Sequence, residues 1–226
     1  MSAPRLPSDL RERVLAAVSR EPVRSRAAGN RRRAVVLVLG FCVGIACSVP
    51  FGPPDIGPRP IGYFALVVGV WVLVAALASW GAVGRGRSML GRPTAHKLAI
   101  ALVAPAVLLA AALLGNVLWP ETIDASSSVQ AHAFCAALAM LFAVGPLAGF
   151  AMVARGSDPI APTVTGAALG AAAGTWGALG IELFCSQATP AHVLLGHVLP
   201  VLLLALTGAL LGARVLRVVA VPAKNE

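Results

Sequence analysis

The chain has 226 residues, of which 58% are apolar and only 12% charged, and its mean hydropathy is +0.84; these values exclude an ordinary soluble domain with a charged surface. Its formal charge of +9 arises from 18 Lys and Arg against 9 Asp and Glu. In a chain that crosses a membrane repeatedly, such cations hold topology and meet anionic lipid, so no direct nucleic-acid contact is expected.

The expected fold class is all-α, a polytopic bundle of six transmembrane helices with a short cytoplasmic N-terminal amphipathic helix. Residues 1–33 form the N-terminal tail, 34–217 the membrane domain and 218–226 a C-terminal tail. Within the first tail Ser8 or Asp9 can cap a helix, and Asp9 with Glu12 has capping-box spacing, with Asp standing in for Ser or Thr. Leu10, Val14, Leu15 and Val18 then follow helical periodicity, with Arg11, Arg13 and Arg20 elsewhere around the helix. At roughly three turns it is marginal alone in water, and Pro22 stops it. Such a helix either lies on the bilayer with its cations among headgroups or lays its stripe into a groove on a soluble partner. The first 33 residues contain no apolar run, so no cleavable signal peptide is expected and the first span serves as an uncleaved anchor.

Six apolar stretches come next, at 34–51, 61–83, 98–119, 129–154, 160–185 and 193–215. At about 1.5 Å per helical residue each reaches across a hydrocarbon core of roughly 30 Å. All 18 Lys and Arg except Arg59 fall on one side of such a membrane. Arg31, Arg32 and Arg33 abut the first span; Arg85, Arg87, Arg92 and Lys97 separate the second and third; Arg155 separates the fourth and fifth; Arg214, Arg217 and Lys224 follow the sixth. The positive-inside rule therefore places both termini in the cytoplasm. The outer loops carry Asp55, Arg59, Glu121 and Asp124 as their charges. Span interiors lack Lys, Arg and Asp, and Glu182 sits near the outer end of span five. Ion-coupled carriers keep ionisable groups near the midplane, so a charge-coupled transporter is disfavoured.

Gly166, Gly170 and Gly174 form consecutive GxxxG steps in span five, continued by Gly177 and Gly180. The stripe serves close packing within one bundle or, as the alternative, the seam of a homodimer. Pro105, Pro146 and Pro200 lie inside spans three, four and six, where kinks are expected.

Chemistry concentrates at the outer end. Cys135 lies about two turns into span four, His132 is three residues before it, Cys185 closes span five, and His192 and His197 begin span six, with Glu182 at similar depth. Two thiols there suit a disulfide in an oxidising compartment, whereas thiolate with imidazole suits zinc and similar ions. On a regular helix His192 and His197 stand about 140° apart, so a shared metal requires an irregular first turn around Pro190. Cys42 and Cys47 in span one lack CxxC spacing and are expected to pack.

The run FCSQATPAHVLLGHVLPVLLLALTGALLGARVLR from Phe184 to Arg217, with Cys135 fifty positions before Cys185, resembles the NrsF-type membrane anti-sigma factors of bacteria, as does the leading DLRERVLAAVSREPVRS. The resemblance implies a six-span protein of the bacterial inner membrane that is no enzyme. Its cytoplasmic part would hold an extracytoplasmic-function sigma factor, here through Leu10, Val14, Leu15 and Val18, until an envelope signal arrives. Cys135 and Cys185 match the family's cysteine pair, implicated in sensing metal or oxidative stress, and His192, His197 and Pro200 match its final-span motif. Ser186 stands where the family commonly has Pro after the second Cys, and Gly196 where an aromatic residue precedes the second His. No resident cofactor is expected, a metal ion being considered as a signal. Two other classes remain: a small permease or channel, which a polar cavity would favour, and a membrane thiol-redox protein using Cys135 and Cys185, for which no CxxC or haem signature is present.

Overall fold

In the computed structural model the described residues are Glu12, Ala16, 26–51, 60–83, 93–120, 128–155 and 160–216. The chain divides into two units, residues 1–35 and 36–226. In the first, Glu12 and Ala16 are helical and exposed, and helix α1 (Arg26–Ser48) begins. Leu10, Val14, Leu15 and Val18 lie outside the described residues.

The second unit holds the rest of α1, a 3-10 turn at Val49–Phe51, and helices α2 (Ile61–Val83), α3 (Thr94–Leu118), α4 (Val129–Ala154), α5 (Pro162–Glu182) and α6 (Pro190–Val215). Every regular element among the described residues is helical. The five helices α2 to α6 are long and apolar enough to cross a membrane, whereas the apolar part of α1, Ala34–Cys47, is shorter than 18 residues. The expected span at 34–51 is helical along its length, α-helical to Ser48 and 3-10 from Val49, but it is not among the five helices long and apolar enough to cross.

Helix ends obey local chemistry. Ser128 caps α4 by accepting from the Ala131 N–H at 3.2 Å. Pro162 and Pro190 open α5 and α6, where a missing N–H costs no hydrogen bond. The expected fifth span ran to Cys185, but α5 stops at Glu182; Cys185 stands in the connection, and α6 begins at Pro190, before the expected 193.

Helix α5 is the centre of the unit, with 78% of its most apolar window buried. Its glycines explain how. A Cβ on Gly166 or Gly170 would strike the α6 backbone at Gly208 or Leu204, and one on Gly208 or Gly212 would strike the α5 backbone at Gly166 or Pro162. Gly177 meets the α4 backbone at Ala139 in the same way. The glycine stripe is therefore spent inside the chain, where small residues let backbones approach. Around it Trp71, Val67 and Tyr63 of α2, Leu108 of α3 and Val201 of α6 close one apolar cluster. Outward faces are also apolar, with Leu102, Val117, Leu206 and Leu210 exposed; a soluble monomer rarely shows such contiguous apolar surface, and lipid tails are its natural solvent.

Between α5 and α2 the polar groups of Trp176 and Ser79 are tied off locally. Trp176 Nε1 of α5 donates to Ser79 Oγ of α2 at 2.8 Å, and Ser79 Oγ donates to the Ala75 carbonyl at 2.7 Å. Trp176 also meets the Phe41 ring edge-on, at 4.6 Å between centroids. Trp176→Phe keeps an aromatic ring and loses the bond, so it is expected to cost about 1 kcal/mol. Thermal unfolding in detergent should register this as a drop of roughly 2–4 °C.

Candidate functional site

The site forms where α4 and α6 begin and α5 ends, at the end of α6 remote from Arg214. Cys135 projects from the second turn of α4. Cys185 comes just after the end of α5, its N–H donating to the Ile181 carbonyl at 2.8 Å. The segment after it is anchored by Asn116 of α3, whose Nδ2 donates to the Ala188 carbonyl at 2.7 Å. Thr189 then caps α6, its Oγ1 accepting from the His192 N–H at 3.2 Å.

His192 and His197 are brought together by an irregularity. Residues Val193–Val198 form a π-helical stretch, closed by Leu199 N–H donating to Leu194 O, five residues back. Pro200, two residues beyond the stretch, has no N–H to offer the Gly196 carbonyl, so the regular ladder fails there in any case. In a wide turn residues five apart take the relation that residues four apart have in an α-helix. The imidazole centroids are accordingly 5.4 Å apart. The irregular turn that a shared site requires is present, just after Pro190.

The four side chains Cys135, Cys185, His192 and His197 are all buried, and one donor atom of each lies within 4.8 Å of the others. Cys135 Sγ is 3.6 Å from Cys185 Sγ, and Cys185 Sγ is 3.2 Å from His192 Nε2. Both thiols are free. His197 Nδ1 lies 2.8 Å from Glu182 Oε2, and in its Nδ1–H tautomer the ring donates to that oxygen. Its Nε2 is buried without a hydrogen-bond partner, as is His192 Nδ1. Gly196 gives this group its room, since a Cβ there would sit 3.2 Å from Cys135 Cβ and 3.4 Å from His192 Nε2.

The structure thus unites the four residues singled out in the sequence. His132 stays outside the set, its ring 5.0 Å from that of His192. Cys42 is exposed, and half-buried Cys47 packs against the apolar cluster around Cys135 and Cys185. Two contributors escaped the sequence reading. Asn116 is buried with an amide partner in the Cys185 segment, and its signal was a lone amide inside an apolar span. Gly196 supplies space, which its place beside a histidine did not announce.

Chemically the set offers two soft and two borderline donors, all buried, with a carboxylate behind one of them. Comparison with curated proteins finds no match, and comparison with solved structures finds none either. A family model described as NrsF, negative regulator of sigma F, matches residues 16–218. That match takes in all four donors and every described helix from α1 to the end of α6, and the chain belongs to the NrsF family of negative regulators of sigma F.

Proposed function

We propose that the chain is a membrane-bound anti-sigma factor of the bacterial inner membrane, with six spans, both termini cytoplasmic and no enzymatic activity. Leu10, Val14, Leu15 and Val18 hold an extracytoplasmic-function sigma factor at the cytoplasmic face, and Cys135, Cys185, His192 and His197 receive the envelope signal that releases it. The observation that carries this reading is the family match over residues 16–218. It is supported by the buried donor cluster at the end of α6 away from Arg214, because a signal from outside needs a receiving site on the side opposite the partner. Release requires two arrangements of the bundle with different affinity for the sigma factor. The cluster links α4 to α6, so any change in its bonding bears on how those helices meet.

Tagged full-length protein drawn from detergent-solubilised native membranes is expected to bring a sigma factor with it, identified by mass spectrometry. A variant with Leu10, Val14, Leu15 and Val18 all replaced by Ala is expected to lose it. Absence of any sigma factor from well-expressed parent protein in unstressed cells would sink the reading. The 3.6 Å approach of the two thiols favours a second reading, a membrane thiol-redox protein. Replacing Cys135 and Cys185 by Ser separates the two: a redox enzyme loses turnover, whereas an anti-sigma factor keeps its partner and loses its response.

A further inference from the structure

We infer that Cys135, Cys185, His192 and His197 are a preformed four-coordinate centre for one zinc-class divalent cation, and that Glu182 is the positioning carboxylate that aims His197 at it. The inference deepens the sensing role proposed above and rests on it for biological meaning, but its geometry stands alone.

Tetrahedral coordination with metal–sulfur bonds of about 2.3 Å and metal–nitrogen bonds of about 2.0–2.1 Å places two sulfurs about 3.8 Å apart and a sulfur and a nitrogen about 3.5 Å apart. The chain holds Sγ to Sγ at 3.6 Å and Sγ to His192 Nε2 at 3.2 Å. All four donor atoms lie within 4.8 Å of one another, so small shifts suffice to receive an ion at their centre.

A disulfide would employ the thiols and give His197 Nε2 no partner. His192 and His197 are each 0% exposed, and His197 Nε2 has no hydrogen-bond partner. Burying such a group unpaired is costly, and a cation supplies the missing partner. The bond from His197 Nδ1 to Glu182 fixes which nitrogen keeps its lone pair. A carboxylate behind a histidine is the usual outer support of a metal ligand, setting tautomer and ring orientation. The π-helical turn contributes independently, since it places the second imidazole beside the first.

The donor types choose the ion. Two thiolates with two imidazoles favour zinc and softer ions over magnesium or calcium. With four protein ligands the set is closed, the pattern of a structural or regulatory centre rather than a hydrolytic one. Binding forms two metal–sulfur and two metal–nitrogen bonds; the two thiol protons leave to solvent, and both Nε2 atoms bind through their lone pairs. No electron is transferred.

The test uses the full-length protein in detergent, stripped with chelator under reductant and titrated with Co2+ alone. One equivalent is expected to give the intense visible bands of four-coordinate cobalt together with thiolate-to-cobalt charge transfer, and Zn2+ should bleach both. Cys42→Ser should leave the spectrum intact, while Cys135→Ser should remove part of the charge transfer. Glu182→Gln should keep the band shape and weaken binding by roughly 10- to 100-fold. The wild-type spectrum decides the matter even if a variant fails to fold: weak octahedral bands, or no charge transfer, would overturn the inference. Cobalt binding in a protein that brings down no sigma factor would leave the centre standing and defeat the anti-sigma reading; sigma-factor recovery without a thiolate–cobalt spectrum would do the reverse.

Discussion

Gly170→Leu is expected to remove the folded membrane domain, seen as loss of the monodisperse peak on size exclusion in detergent. At this position of α5 a Cβ would lie 2.7 Å from the Leu204 carbonyl carbon and 3.0 Å from Ala205 Cα. Both obstacles are backbone of α6, so no side chain can swing away, and the two helices must separate along their seam. Ordinary overpacking costs about 1–3 kcal/mol; a clash of main chain with main chain belongs at or above the upper end. Gly69→Ala is the matched control, because nothing lies within 4 Å of a Cβ there. It should leave thermal stability unchanged or raise it by up to about 1 kcal/mol, the helix-propensity gain of Ala over Gly.

Asn116→Ala is expected to loosen the Cys185 segment while leaving the helices in place. Its amide is the tether from α3 to the Ala188 carbonyl, within a stretch that regular hydrogen bonding does not hold. Removing a buried partner costs about 1–3 kcal/mol. Because that cost falls on a local opening, a thiol reagent should label Cys185 roughly 5- to 100-fold faster, with circular dichroism unchanged. Equal labelling rates in parent and variant would show that the tether is not what shields the thiol.

The membrane helices were legible because hydrocarbon forces one solution on the backbone, and long apolar runs say where it applies. The second and fourth spans, 61–83 and 129–154, coincide with α2 and α4. Ends were harder to read. Hydropathy does not distinguish Phe184 and Cys185 inside a helix from the same residues just beyond it, and Pro190 as a helix opener outweighs the polar look of its neighbours. The glycine stripe declared close packing, yet its partner became visible only with α6 laid against it. In the site, residue types and depth pointed to Cys135, Cys185, His192 and His197. The spacing of the two histidines argued against a common centre, because the 3.6-residue period was applied to a stretch that does not obey it. Gly196 acts through a void, which leaves no pattern in a single sequence, and Asn116 shows there only as a lone amide in an apolar span, without the carbonyl that it holds.

The wide turn at Val193–Val198 also changes how this chain can diverge. Such a turn absorbs one residue more than a regular one, so α6 carries a supernumerary residue without rotating its remaining turns out of register with α5. Loss of Leu194, an exposed side chain, would restore the ordinary turn length, with the histidines four apart, Pro200 still without an N–H to donate, and Gly208 and Gly212 still set against Gly166. Ligand spacing and bundle assembly are thereby separate inheritances.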